Sequence, residues 1–229
     1  MQKSCLCGKI TSQGEEMIEN KTKVDLSTFE GKRMYERFAF EQDPSVCVTG
    51  CFDVTNLYKQ KKKGHSFNAM LSFCILQAGQ KIKEFHYSIK EDGLYYYNNV
   101  KINIVINGDD GQLYYIDHKY SDNFEDFEKE YRKTNDFYRK KCEHFQEDTG
   151  ALIGTSAIIG YPFVSISCPI SPAFWDNFML WGQFVKKFNK VKLNISLRFN
   201  HATVDGQRAA IFFNELQKEI NSLKTKKIK

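Results

Sequence analysis

One of the five histidines in this 229-residue chain ends an unusually regular stretch. Val191, Leu193, Ile195, Leu197 and Phe199 take every second position, with Lys192, Asn194, Ser196, Arg198 and Asn200 between them. That is the period of a half-buried strand, and His201 falls on its apolar parity. Beyond it, Ala209, Phe212, Phe213, Leu216, Ile220 and Leu223 recur at the spacing of one helix face. Asp205 and Gly206 stand between, where a short carboxylate can cap free backbone N–H groups and a glycine permits a tight turn. The segment reads strand, histidine, turn with a carboxylate, helix. A neutral imidazole there can take a proton from a hydroxyl or thiol. A histidine ending a strand is equally at home as a hydrogen-bonded core residue, so the neighbouring Asp-Gly turn carries the functional reading.

The sequence offers this base no obvious protein nucleophile. It contains neither a Gly-x-Ser-x-Gly elbow nor a catalytic-cysteine signature. The simplest chemistry is direct attack by the hydroxyl of a bound substrate, with no covalent enzyme intermediate. An oxyanion then forms at the attacked carbonyl and needs a donor. The run "VSISC" offers Ser165, Ser167 and Cys168, and as a strand it would put both serines on one face.

Composition narrows the class. Hydrophobic residues at 41% and aromatics at 14% indicate a globular chain. A net charge of +5, with acidic and basic residues interspersed, argues against a dedicated nucleic-acid binder. Seven cysteines at irregular spacing do not form a structural-zinc pattern, and no metal site is expected. Several fall in apolar periodic segments as reduced thiols packed like small hydrophobes. The sequence has no secretory h-region and no run of 18 apolar residues, so the expected location is the cytoplasm, with no membrane partner.

The elements that must position the histidine follow from patterning. Residues 1–22 read as an extension carrying Cys5 and Cys7, 23–222 as a single domain, and 223–229 as a basic, frayed tail. Helix or turn structure is expected from 25–40, a strand at 46–54, and a short helix around Leu57 and Tyr58. An amphipathic helix follows from Phe67 to Ile82, with Ser66 as its cap. "HYSIK", "GLYYYN", "INIVIN" and "QLYYID" predict strands separated by glycine turns. Ser121 or Asp122 is expected to cap a long helix bearing Phe124, Phe127, Tyr131 and Tyr138. Residues 161–170 read as a strand and 176–187 as a short helix. The fold class is α+β: a two-layer sandwich with helices packed on a mixed β-sheet. His65, His86, His118 and His144 are expected in loops or on the surface. Lys59, Lys61, Lys62 and Lys63 read as a solvated helix end, or else as a basic run that meets a ligand's phosphates.

The ordered segments resemble the chloramphenicol acetyltransferase family. "NHATVDGQRAAIFFNELQ" is similar to its His-x-x-x-Asp-Gly turn and following helix. "VDLSTFEGKRMYERF" resembles its N-terminal Asp-x-x-x-Trp-x-Arg segment, "FNAMLSFCILQAGQKIKEFHYSIKEDGLYYYNNV" its first long helix and hairpin, and "YPFVSISCP" its Pro-Trp-x-x-Phe-Thr-Ser strand. The resemblance spans about residues 23–222. It implies a trimer with active sites in clefts between subunits, acetyl-CoA as cosubstrate with no bound cofactor, and a small-molecule acceptor bearing a hydroxyl. It implies His201 as the general base and Asp205 as the residue holding the histidine turn through a charged hydrogen bond.

Four departures accompany it. Aligned on Pro162, the family's Thr-Ser pair falls on Ser167 and Cys168, so the oxyanion donor is either Cys168 or, with a register shift of one, Ser167. The arginine that partners the motif's aspartate aligns with Gly31, beside Lys32 and Arg33. Asn200 replaces the first of two histidines, and the acceptor-pocket tyrosine becomes Phe38. The leading expectation is an acetyl-CoA-dependent O-acetyltransferase, with chloramphenicol the default acceptor. Two alternatives stay open: an acyltransferase for another hydroxyl or thiol, and a binding or regulatory module that kept the fold without the chemistry.

Overall fold

The computed structural model of the protein describes residues 20–168 and 176–226. Its largest element is a seven-stranded mixed sheet built on β10 (Lys190–Asn200). β10 pairs antiparallel with β2 (Ser45–Asp53) on one side and with β8 (Asn177–Trp181) on the other. From β8 the sheet continues through β7 (Ala151–Ala157), β5 (Val100–Asn107) and β6 (Leu113–Lys119), while β9 (Val185–Lys187) pairs with the start of β10. The β5–β7 and β7–β8 pairings are parallel and the others antiparallel. A separate three-stranded sheet joins β1 (Lys21–Lys23), β4 (Gly93–Tyr97) and β3 (Tyr87–Lys90).

Helices cover one face of the large sheet. α3 (Phe67–Gln80) is buried nearly all round, and the Ser66 side chain caps it by accepting from Ala69 N. The expected amphipathic helix is thus a central one, apolar on every side because neighbours surround it. The helix α4 (Phe124–Lys141) and the helix α5 (Gly206–Ser222) both pack against it. A Cβ on Gly79 would come within 2.7 Å of the Ile153 side chain, so the absence of a side chain lets α3 close onto the sheet. Phe213 of α5 lies over Gly50 of β2. The apolar residues of β10 (Val191, Leu193, Ile195, Leu197 and Phe199) are all 5% exposed or less and belong to the same core.

Several expectations are corrected. Residues 161–168 form no strand, and 169–170 lie outside the described residues. Residues 176–187 are not helical but carry β8 and β9. β8 is buried at every position between β10 and β7, and such a strand shows no alternation to read. β7, also buried for most of its length, has no counterpart in the sequence reading. The helix-or-turn stretch at 25–40 holds as α1 (Lys32–Phe38) flanked by turns, while β1 begins inside the expected extension. The α4 cap is Asn123, whose side chain accepts from Asp126 N, and not Ser121 or Asp122.

The C-terminal stretch is docked as far as Lys226. Thr225 is buried and donates to Gln60, while the Leu223 carbonyl accepts from Asn56 and Gln60. Three of the four histidines expected outside are buried and hydrogen-bonded. His65 bridges Glu128 (2.5 Å) and the Lys226 carbonyl (2.6 Å), His86 bridges the Tyr97 and Gln80 carbonyls, and His118 meets Asn135. Cys74 is buried as expected, but Cys47 and Cys51 are exposed. Cys5 and Cys7 lie outside the described residues. Among those residues no helix is long and apolar enough to cross a membrane.

The passage from β2 into α2 (Thr55–Lys61) has a pH signature. Thr55 donates to the Asp53 carboxylate from both its backbone N–H and its hydroxyl. These bonds, helped by Lys192, hold the Asp53 carboxyl down at about 2 from an ordinary 3.8. The stabilisation is therefore complete above pH 4 and lost as pH falls through 2. Asp53→Asn should flatten the acid limb of stability by about 1–2 kcal/mol, read from urea midpoints at pH 6 and pH 2.5. Equal acid sensitivity in both proteins would remove the assignment.

Candidate active site

β10 ends at Asn200, whose side-chain oxygen accepts from Ala202 N and turns the chain sharply. The Thr203 and Val204 amides both return to the Asn200 carbonyl. Asp205 is then the N-cap of α5, its carboxylate accepting from Arg208 N at 2.7 Å. His201 sits in this turn, half-buried, with its backbone N–H donating to the Pro44 carbonyl at 2.8 Å. Its Nδ1 lies 3.1 Å from the Val204 carbonyl oxygen. A carbonyl only accepts, so Nδ1 carries the proton and the lone pair belongs to Nε2. The Phe38 ring stacks on the imidazole at 4.4 Å between centroids and 21° between planes. Ring plane, tautomer and backbone are each fixed by a different neighbour, and a neutral imidazole held this way presents one basic nitrogen.

The predicted oxyanion segment lies elsewhere on the sheet. Thr49 of β2 is in register with Ser196 of β10, on the face opposite the helices. Their hydroxyls meet at 2.7 Å, and Ser165 joins Thr49 at 3.0 Å. Ile166 N donates to the Ser196 hydroxyl, and the Cys47 thiol points to the Ile166 carbonyl. Farther along, Asn194 donates to the Phe163 carbonyl. Residues 163–168 are thus tied down by side chains, which take the place of strand pairing. Cys47 is exposed as a residue, yet partial desolvation of its sulfur beside residues 166–168 pushes the thiol up, and a hydrogen bond from Ser167 opposes the rise. Ser167 is exposed and Cys168 partly so. Among the described residues no hydrogen bond or ring contact joins His201 to Ser165, Ser167 or Cys168.

The structure therefore brings His201, Asp205 and Phe38 together and leaves Ser167 and Cys168 apart from them within one chain. The other departures are accommodated locally. Gly31 is pressed by the Phe29 ring, which a Cβ would meet at 2.5 Å, so no larger side chain fits there without displacing that ring. A cavity of about 300 Å3, lined by Gly31, Arg33, Thr203, Asp205 and Arg208 among others, adjoins the turn. Sequence reasoning missed the carbonyls of Val204 and Pro44 and the Thr49–Ser196 pair. The backbone groups leave no mark in residue types, and Thr49 meets Ser196 only once the β2–β10 register is known.

A two-layer α+β sandwich, with a His-x-x-x-Asp-Gly turn leading from its long strand into a capped helix, is the frame of an acyltransferase. The chain belongs to the chloramphenicol acetyltransferase family, whose model matches residues 19–217. It is 22% identical over 210 residues to chloramphenicol acetyltransferase 3 of Escherichia coli, covering 89% of this chain and 98% of that protein. The chloramphenicol acetyltransferase of Staphylococcus aureus is 22% identical over 218 residues, with 86% and 94% covered. A solved chloramphenicol acetyltransferase shares the fold with a TM-score of 0.76 at 21% identity, covering 87% of this chain and 99% of that one. A probable dihydrolipoamide acetyltransferase from Listeria monocytogenes is also similar in fold, at a TM-score of 0.66 and 16% identity over 86% and 92% of the two chains.

The Asp205 cap makes a distinction testable by stability alone. Asp205→Ala removes the capping oxygen and should cost about 1 kcal/mol in urea unfolding. Asp205→Asn keeps that oxygen and should stay near wild type. If Asn destabilises as much as Ala, the charge and not the cap holds the turn.

Proposed function

We propose that the protein is an acetyl-CoA-dependent O-acetyltransferase in which His201 Nε2 is the general base, with chloramphenicol the first acceptor to test. The single observation carrying this reading is the Nδ1 contact to the Val204 carbonyl, which leaves Nε2 as the free lone pair on a fixed ring. The acceptor hydroxyl gives its proton to Nε2 as its oxygen attacks the thioester carbonyl. The tetrahedral oxyanion takes a hydrogen bond from Ser167 or Cys168. Collapse breaks the carbon–sulfur bond, and the coenzyme A thiolate recovers the proton from the imidazolium. Acetyl-CoA is a cosubstrate here, and the reading needs no metal.

We place the site between copies of the chain in a homotrimer. Among the described residues the two halves of the chemistry share no contact within one chain, and Tyr161 and Val164, beside the donor segment, are 65% and 82% exposed. A neighbouring copy supplying residues 165–168 to His201 joins the halves and covers those apolar side chains. Phosphates of coenzyme A would find a basic rim where Lys61 lies over the Phe184 ring and Lys62 and Lys186 over the Tyr58 ring. A coenzyme A thioester as substrate suits the cytoplasm.

The test is release of coenzyme A from acetyl-CoA in the presence of chloramphenicol, followed with a thiol-detecting reagent. Turnover above the blank is expected, and His201→Ala should lower it by about 10²–10⁴-fold with Tm unchanged. Release no faster than the blank removes chloramphenicol, and a panel of other alcohols then decides whether acyl transfer survives. More than a tenth of wild-type turnover in the His201→Ala protein would remove the base assignment.

The donor is separable in the same assay. A thiol is a weak hydrogen-bond donor. If Cys168 faces the oxyanion, Cys168→Ser should raise kcat and Ser167→Ala should be mild. If Ser167 does, Ser167→Ala should lower kcat by about 10²-fold with little change in KM. No effect from either variant would place the donor outside this segment.

A further inference from the structure

The turn that carries His201 is short, and its geometry depends on where the first turn of α5 sits. Val204, whose carbonyl orients the imidazole, is fully buried and immediately precedes the Asp205 cap. Any rotation or slide of α5 moves that carbonyl. In the family pattern an N-terminal arginine steadies the aspartate of the motif, but that position is Gly31 here, and the Phe29 ring occupies the space beside it. Some other contact must fix the start of the helix.

One side chain is placed to do so. Arg208 gives its backbone N–H to the Asp205 carboxylate and its guanidinium Nε to Glu84 at 2.8 Å. The same guanidinium is close enough to Asp205 to be stabilised by its charge as well as by Glu84. Glu84 lies on a single 3₁₀ turn, Lys83–His86, between α3 and β3. That turn is itself anchored, because His86 bridges two backbone carbonyls from its buried ring. One helical turn along from Arg208, Phe212 stacks on Phe85 of the same 3₁₀ turn at 4.5 Å and 17°. Two neighbouring contacts, one ionic and one aromatic, therefore hold α5 against a rigid support. The ionic one is nearer the histidine.

We infer that Arg208, clamped by Glu84, is the positioning residue for His201, standing in for the arginine that the Gly31 position lacks. Arg208 touches no reacting atom in this account. It acts by fixing the Asp205 cap, and through it the Val204 carbonyl that selects the imidazole tautomer. The inference rests on the proposed role of His201, so its test needs a reading that does not depend on turnover.

The full-length protein is compared with Arg208→Met, Glu84→Gln and the exchanged pair Glu84→Arg/Arg208→Glu. Imidazole nitrogen NMR shifts of His201 report which ring nitrogen holds the proton, without any substrate. In wild type the proton is expected on Nδ1, and in Arg208→Met on a mixture of the two nitrogens. In the coenzyme A release assay, kcat should fall by about 5- to 100-fold in Arg208→Met, with KM within twofold. Because a half-exposed ion pair contributes little stability, Tm should stay within about 4 °C. The exchanged pair should restore both the tautomer and much of kcat. A wild-type tautomer and kcat in Arg208→Met would overturn the inference. So would a loss of kcat that follows a large fall in Tm and is not recovered by the exchange. Should wild type release no coenzyme A with any acceptor, the proposed function fails while the tautomer comparison still decides the role of Arg208.

Discussion

The arrangement depends on one hydrogen bond, from His201 Nδ1–H to the Val204 carbonyl across a turn of three residues. An imidazole can be a base only at the nitrogen that lacks a proton, so whatever occupies Nδ1 decides what Nε2 can do. Here the occupant is backbone, which neither ionises nor changes rotamer. That choice places the burden on the turn itself. Asn200 closes it from the strand side by accepting from Ala202 N, and Asp205 closes it from the helix side by capping α5. Pro44 secures the His201 backbone through its carbonyl, and Phe38 limits the ring to one plane.

The same strand sorts the remaining chemistry onto two surfaces. Odd positions of β10 enter the apolar core, while Ser196, Arg198 and Asn200 face the other way. Those even positions are nevertheless buried. Part of their cover is the segment 163–168, which reaches the sheet through the Thr49 and Ser196 hydroxyls, the Cys47 thiol and Asn194. A polar sheet face covered in this way can hold an irregular segment because its side chains satisfy the backbone groups that strand pairing would otherwise satisfy. Among the described residues no contact joins His201 to the proposed oxyanion donors within one chain, which is why a second copy enters the proposed mechanism.

What was legible in the sequence was what local pattern determines. β10, the Asp205 cap, Ser66 at the start of α3 and the glycine-bounded hairpins all depend on residues within a few positions of one another. The failures depend on partners distant in sequence. β8 reads as helix in sequence because a strand flanked on both sides has no polar alternation. Residues 161–170 read as a strand because β-branched and polar residues alternate there, yet among the described residues the ties of 163–166 are to side chains of β2 and β10. His65 reads as a surface residue because the partners that bury it, Glu128 and Lys226, lie 63 and 161 residues away. The α4 cap, Asn123, lies just past the expected Ser121 or Asp122, three adjacent polar side chains being equivalent until the helix start is fixed.

The departures from the family pattern bear on function differently once their surroundings are known. Gly31 removes an arginine, the Phe29 ring fills the adjoining space, and the turn keeps its Asp205 cap. Asn200 removes a histidine and supplies the oxygen that turns the chain, a task suited to an asparagine side chain. Phe38 loses a hydroxyl and keeps the ring that restrains the imidazole. The ring stack and the turn around His201 are present with all three changes, and under the proposed function Phe38 would offer an acceptor no hydroxyl. Cys168 stands apart, because it replaces a hydroxyl with a thiol, a weak hydrogen-bond donor. If the oxyanion depends on that position, the thiol weakens stabilisation of the transition state and leaves binding untouched, and Ser167, one residue away, is the nearest hydroxyl that can take the role.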